Sequence, residues 1–325
     1  MKSLLKRLLV TGSGGFLGSR IVHLAHEAGW EVRGYDRNPR TEIDGVETVV
    51  GDICDTEMLR KACEGVTAIV HAAGLAHVFG PESRDPALFN AVNEEGTRCL
   101  VEAGLTCGVP HVVLVSSVSV YGEYLGAICD ETVPCHPQGP YAISKWRGEV
   151  RATERMAMGP GSLTILRFAT IYGEGDRGNV AKLIGVLDRG HFIWPGSGNN
   201  QKSLIYREDA AQACLRALDR ALPGVEVFNV SARPATMREI VAAICQALGR
   251  PVPRLGIPLP LLKAVGAICR RVGDPGHLNQ RLRKFIHDDV YAGEKFETAF
   301  DFRTMFSLSE GMRREVDSLR PPSRA

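Results

Sequence analysis

Leu8-Leu9-Val10-Thr11-Gly12-Ser13-Gly14-Gly15-Phe16-Leu17-Gly18 joins a short apolar run to a helix-length segment, 16–28, through a glycine-rich turn. Glycines 12, 15 and 18 permit a tight turn, let backbone approach a pyrophosphate, and allow a helix to pack closely on a strand. A helix opening there presents unpaired N–H groups and the positive end of its dipole, which suits phosphate. A glycine pattern alone is weak. Its place between a strand and a helix makes it a dinucleotide fingerprint rather than a plain turn. Candidate cofactor contacts from this stretch are Gly12, Gly15, Phe16, Leu17 and Gly18.

Beyond the turn, strand-like runs at 31–35, 48–50, 68–70, 112–115 and 164–166 alternate with helix-length segments at 56–63, 86–107 and 140–158. Near-continuous apolar strands separated by helices argue for a parallel sheet covered on both faces. Right-handed crossovers then give an α/β fold, a doubly wound parallel sheet of the Rossmann type. After about residue 169 the alternation loosens, and glycine and proline punctuate 173–200. A helix at 208–220, a strand at 225–230 and a helix at 237–248 follow, the last with Thr236 and Glu239 placed as a capping box. The expected division is a cofactor-binding domain of 1–168 plus about 204–231, and a smaller C-terminal substrate-binding lobe of about 169–203 plus 232–325.

The chain has 325 residues, 44% hydrophobic and 23% charged, with a net charge of +2. That is the balance of an ordinary globular protein with a sizeable core, and it supplies no global field toward nucleic acid. No run approaches the ~18 apolar residues of a transmembrane helix. The first residues enter a strand pattern without a signal-peptide h-region. Nine cysteines include no Cys-x-x-Cys pair and no Cys/His cluster of zinc spacing. The expectation is a cytoplasmic protein with reduced cysteines and no metal. Charge is uneven, however: 250–284 holds eight basic residues and one acid, Asp274.

Asp36 closes the second strand, where a carboxylate accepts both ribose hydroxyls of NAD and repels a 2′-phosphate. Arg33, Arg37 and Arg40 nearby are the features that would favour NADP. NAD is the expected cofactor. Asp52, with Ile53, follows the third strand and suits either the adenine amino group or a helix N-cap. Tyr141 and Lys145 stand at i and i+4 on the helix that Pro140 begins, so they share a face. An ammonium beside a phenol, with a positive nicotinamide ring near, is expected to lower the phenol's pKa toward neutrality. Such a tyrosine can exchange a proton with a substrate hydroxyl while hydride passes to or from nicotinamide. Ser117, at the end of the fifth strand, would share the reacting oxygen.

Gly12-x-x-Gly15-x-x-Gly18, His71-Ala72-Ala73-Gly74, Asn93-Glu94-Glu95-Gly96-Thr97, Ser116-Ser117 with Tyr121-Gly122, Tyr141 with Lys145, and Arg167-Phe168-Ala169-Thr170-Ile171-Tyr172-Gly173 occur in order. Together they resemble the extended short-chain dehydrogenase/reductase family, specifically its NAD-dependent sugar-nucleotide epimerase/dehydratase group. The likeness covers nearly the whole chain, including Gly196-Ser197-Gly198 and Ser203 to Ala210. It implies Ser117 as the catalytic hydroxyl, Tyr141 as the acid/base, and Lys145 as the residue that tunes it and holds the nicotinamide ribose. It implies Ala72, Ala73 and Gly74 as cofactor contacts. Asn93 would hold a helix kink or a proton-relay water, with a structural Asn at a loop–helix junction as the alternative. Thr170 stands where many relatives carry Asn against the substrate, and Arg207 where Val is common, so the substrate's identity stays open. A homodimer through paired helices of the cofactor domain is also implied.

Dehydratases of that family carry an acid within two residues of the catalytic hydroxyl. Val118 and Ser119 stand there, so dehydration is disfavoured. The resemblance then implies reversible oxidation of a ring hydroxyl of a nucleotide sugar, by a 4-epimerase or 4-ketoreductase of a UDP-hexose or UDP-N-acetylhexosamine. Ser117, Ser119, Thr170, Asn179, Lys182 and Arg233 are the candidate substrate contacts, the last three suited to a diphosphate. Phe192 and Trp194 fit either stacking on the ligand or a core. The apolar stretch 256–268 beside basic residues also resembles the lid of hydroxysteroid dehydrogenases in the same superfamily. That keeps a hydroxysteroid or isoprenoid-alcohol dehydrogenase open as an alternative. A non-catalytic NAD-binding scaffold is the third class, and the intact Ser117, Tyr141 and Lys145 set argues against it.

Overall fold

The computed structural model describes residues 6–38, 43–76, 85–123, 128–258, 260–261 and 286–320. In chain order it begins β1 (Arg7–Thr11), α1 (Phe16–Glu27), β2 (Glu31–Asp36), β3 (Glu47–Val50), α2 (Thr56–Cys63) and β4 (Ala68–His71). Then come α3 (Pro86–Phe89), a π-helical turn at Asn90–Glu95, α4 (Gly96–Thr106), β5 (His111–Ser117), a 3₁₀ turn at Val118–Tyr121, α5 (Pro140–Met156) and β6 (Ser162–Phe168). Next are β7 (Thr170–Tyr172), α6 (Asn179–Asp188), β8 (Trp194–Pro195), β9 (Gln201–Lys202), β10 (Leu204–Tyr206), α7 (Arg207–Asp219) and β11 (Val225–Val230). Last are β12 (Ala235–Thr236), α8 (Met237–Leu248), β13 (Gly256–Ile257), α9 (Glu294–Phe300) and α10 (Leu308–Leu319).

Seven strands form one parallel sheet in the order β11-β6-β5-β4-β1-β2-β3. Its central strands are apolar on both sides because both faces are covered. One face packs on α1, α7 and α9 through Ile21, Ala210, Cys214, Phe296 and Phe300; the other packs on α2, α4 and α5 through Leu59, Leu100, Ala152 and Met156. Strand order reverses between β1 and β4, so the crevice of a doubly wound sheet opens at their C-terminal ends. Thr11, Asp36, His71, Ser117 and Phe168 all end strands on that edge.

A separate apolar cluster gathers Tyr172, Val180, Ile184, Phe192, Trp194, Tyr206, Ile240, Val241, Ile244, Met312 and Val316. It is built by α6, α8, α10 and the short strands β7 to β10. Phe296, Phe300 and Phe302, from the stretch expected in the smaller lobe, pack instead against the sheet beside Phe228. The Thr236–Glu239 capping box starts α8 as its spacing predicts. The segment expected as one helix at 86–107 is α3 and α4 joined by the π-helical turn, which turns Asn93 and Glu94 inward. The eight described cysteines are free, while Cys269 lies outside the described residues. Among the described residues no helix is long and apolar enough to cross a membrane.

Candidate active site

The glycine turn is shaped by close backbone approach. Gly12 has φ +71°, and a Cβ there would lie 2.6 Å from the Ala73 nitrogen. A Cβ at Gly18 would lie 2.0 Å from the Gly12 oxygen, so Gly18 lets α1 sit against the turn. Gly15 is the N-cap of α1 and supplies no side-chain cap, which leaves the first N–H groups free for an anion. A cleft opens here, lined by Gly12, Gly15, Tyr35, Asp36, Arg37, Asn38, Gly51, Asp52, Ile53, Ala72, Ala73, Gly74, Leu75 and Val92. Its lining of small residues and backbone fits an adenine dinucleotide.

Eight of the sequence-predicted cofactor contacts line that cleft: Gly12, Gly15, Asp36, Asp52, Ile53, Ala72, Ala73 and Gly74. Asp36 is already held by two backbone donors, Gly14 N–H at 3.0 Å and Asn38 N–H at 2.8 Å. A carboxylate has about four acceptor sites, so ribose hydroxyls can still be bound. Asp52 accepts from Cys54 N–H, and Asp55 is the residue that caps α2. Leu17 is buried in the core, and the half-buried Phe16 ring packs under Arg207 at 5.3 Å.

The arginines divide. Arg33 is committed to Glu47 at 2.8 Å and to the carbonyls of Ala62 and Glu64, which removes it as an NADP feature. Arg37 lines the cleft, 3.8 Å from the Asp52 carboxylate. Arg40 lies outside the described residues. Tyr35, Leu75 and Val92 line the cleft without having been expected. Tyr35 is a core residue whose hydroxyl donates to the Asp52 carbonyl, and a Cβ at Gly51 would collide with it. Only the pairing of β2 with β3 brings the two together.

Asn93 is fully buried, and its amide is spent on the chain itself. It accepts from Leu75 N–H at 2.8 Å and donates to the Leu75 carbonyl at 3.0 Å and the Ser144 hydroxyl at 2.9 Å. It therefore pins the loop after β4 to α5, the structural alternative for this residue. A second chain of hydrogen bonds supports the same floor. Thr97 donates to the Asn93 carbonyl, so it accepts from His71 Nε2; His71 Nδ1 then accepts from Thr11, whose oxygen faces Ala73 N–H. Burial pushes the His71 imidazole down to about 3, which keeps it neutral in this role.

Tyr141 and Lys145 share a face of α5. The Ser117 side chain stands near the phenol and accepts from Ser119 N–H at 3.2 Å, and the Phe89 ring stands edge-on to Tyr141 at 6.3 Å. Lys145 is buried, donates to the Val115 carbonyl at 2.6 Å, and would lie 3.9 Å from a Cβ at Gly74 on the cleft wall. The catalytic helix and the cofactor cleft thus meet at Gly74. Against the acidification expected from the ammonium together with a nicotinamide ring, burial in the chain by itself raises the Tyr141 pKa, and Ser117 only partly opposes it. Burial likewise drives Lys145 down to about 8, with the Glu149 charge acting the other way. Desolvation penalises both charged forms.

Behind them, Glu149 receives the Arg167 guanidinium at 2.7 Å and the Ser116 hydroxyl at 2.5 Å, while Arg167 also donates to the Tyr121 hydroxyl at 2.9 Å. The Tyr-Gly and Arg motif residues are therefore a buried brace that ties α5 to β5 and β6. The Ser119 hydroxyl is buried without a partner. Thr170 is exposed at the start of β7, Asn179 and Lys182 on the first turn of α6, and Arg233 after β11. Phe192 and Trp194 are core: both are buried, edge-to-face at 5.0 Å, and the indole N–H donates to Pro253. Arg207 joins segments, donating to the Glu174 carbonyl and the Ser19 hydroxyl. Most of the apolar stretch 256–268 and of the basic stretch 250–284 lies outside the described residues.

Comparison with known proteins adds independent information. Residues 8–231 match the model of the NAD dependent epimerase/dehydratase family. The chain is 30% identical over 322 residues to an N-acetyl-alpha-D-glucosaminyl-diphospho-ditrans,octacis-undecaprenol 4-epimerase of Escherichia coli O157:H7, covering 95% of this chain and 94% of the relative. It is 29% identical over 332 residues to a 2-alkyl-3-oxoalkanoate reductase of Stenotrophomonas maltophilia, covering 95% and 98%. Among solved structures, MoeE5 in complex with UDP-glucuronic acid and NAD aligns with a TM-score of 0.77 at 25% identity, over 96% of this chain and 98% of that one.

Proposed function

Since the chain belongs to the NAD dependent epimerase/dehydratase family, we propose that it is a 4-epimerase of a sugar carried on a diphosphate, and that Ser117, Tyr141 and Lys145 perform the proton chemistry. The observation that supports this is the placing of Ser117 beside the Tyr141 phenol on the crevice edge, with Lys145 beside the Gly74 wall of the dinucleotide cleft. Gly12, Gly15, Asp36, Ala72, Ala73 and Gly74 would hold NAD, which when bound supplies reversible acceptance of a hydride. Tyr141 exchanges the proton of the reacting hydroxyl, and Ser117 donates a hydrogen bond to the same oxygen. Lys145, poised near about 8, offers either charge state close to working pH and holds its place through Val115. Asn93 and His71 keep the cofactor floor fixed relative to α5.

Val118 and Ser119 supply no acid for loss of water, which favours epimerisation over dehydration. The exposed Thr170, Asn179, Lys182 and Arg233 are the proposed contacts to sugar and diphosphate. The relatives leave two sources for that diphosphate, a uridine nucleotide and a polyprenol. A reductase of an apolar oxo-substrate is the second reading, supported by the Stenotrophomonas relative. The protein is proposed to act in the cytoplasm as a homodimer, with its domain boundary near residue 169.

The purified full chain, incubated with UDP-hexoses, UDP-N-acetylhexosamines and polyprenyl-diphosphate-linked N-acetylglucosamine, is expected to form the 4-epimer of one class without net NADH formation, followed by NMR. NADH accumulation, or turnover confined to apolar oxo-compounds, would overturn the epimerase assignment.

A further inference from the structure

The outer side of the β8–β13 ribbon takes no part in the site above. Just before and at the start of β8, Phe192 and Trp194 are buried in the lobe's core, while Ile193 between them is 50% exposed. Gly256 pairs with Trp194 in parallel register and Trp194 N–H donates to the Leu255 carbonyl, so Leu255, 74% exposed, runs next to the Ile193 segment. Val252 and Leu261 of the same segment are exposed as well. Large apolar residues left exposed close together mark an interaction surface.

The charge beside these residues selects the partner. Residues 189–196 and 249–261 contain Arg189, Arg250 and Arg254, all exposed, and no Asp or Glu. Arg250 is shared with Asp188 at 3.2 Å. A second copy of this face would set arginine against arginine. An anionic bilayer instead accepts the apolar side chains at its acyl boundary and attracts each arginine through its surface potential. We propose that the β8–β13 ribbon docks the protein peripherally on an anionic lipid surface.

Docking is tested apart from the reaction, by cosedimentation of the full chain with vesicles of phosphatidylglycerol and phosphatidylcholine, and of phosphatidylcholine alone. Wild type is expected to bind only the anionic vesicles, more weakly at high salt. Ile193→Glu with Leu255→Glu should lower partitioning by about tenfold or more, and Arg254→Ala by about fivefold. Ile193→Ser with Leu255→Ser, which adds no charge, should act in the same direction. All of these variants should keep the wild-type unfolding midpoint and turnover of a water-soluble substrate. No binding by wild type, equal binding to neutral vesicles, or a double Glu variant that binds normally would overturn the proposal. So would a concentration-dependent dimer that the double variant dissociates. Failure of the epimerase assay alone leaves the vesicle result standing, so the two readings fail separately.

Discussion

Tyr141 shows two local forces in opposition. Its place one turn before Lys145 predicts an acidified phenol, yet burial raises its pKa and lowers that of Lys145 to about 8. Desolvation works against both charged forms in the chain by itself. Tyr141→Phe keeps the ring that Phe89 packs against and removes only the hydroxyl that meets Ser117. It is expected to lower kcat by about 10²–10⁴-fold, the usual contribution of a positioned acid/base, while NAD affinity by titration stays near wild type. Turnover close to normal would remove the acid/base assignment. The Tyr–Lys spacing was legible because helix geometry is local. The direction of the pKa shifts was not, because it depends on which distant segments cover the two side chains.

Among the elements, α10 carries the least expected group. Glu315 is completely buried, both its carboxyl oxygens lack partners, and it faces Asp176 and Glu174 with Tyr172 close by. Burial and these like charges push its pKa up to about 8. A carboxyl whose folded pKa lies above its unfolded value contributes fully below about 4.5, and that contribution is lost as pH rises through about 8. Glu315→Gln should therefore leave stability nearly unchanged at pH 4–5 and raise it at pH 8–9 by on the order of a few kcal/mol. Urea unfolding at the two pH values measures this; a variant destabilised at both would show that the carboxyl is a partner rather than a burden. In sequence Glu315 sits among Arg313, Arg314 and Asp317 and looks like one more charge on a solvated helix face. Its burial follows from α10 packing on α8 and the β7 region. The Thr236–Glu239 cap, in contrast, was legible in full because every atom it uses lies within four residues.

Across the whole molecule, binding in the cleft draws together the turns after β1, β2, β3 and β4, so a dinucleotide that fits there must stabilise the fold it bridges. NAD at about 100 times its Kd is expected to add about 2.7 kcal/mol and raise the unfolding midpoint by several degrees. Gly12→Val, with φ +71° and the Ala73 backbone in the way of any Cβ, should abolish that rise. Calorimetry with and without NAD decides it, and a wild-type midpoint insensitive to NAD would refute the cofactor site. Ala72, Ala73 and Gly74 entered through the family resemblance, whereas the sheet, the glycine turn and the candidate wall residues Asp36, Asp52 and Ile53 were readable from the chain itself. Each depends on periodicity, on a turn's backbone conformation, or on the end of a strand, and those are properties of neighbours in sequence. Tertiary structure alone decided that Arg33 serves Glu47 and backbone carbonyls, that Phe192 and Trp194 are core, and that Asn93 binds a loop. It also assigned Arg207 to joining segments and left Glu315 without a partner. Partner choice and burial are settled by residues far apart in the chain, and no local pattern records which of them will meet.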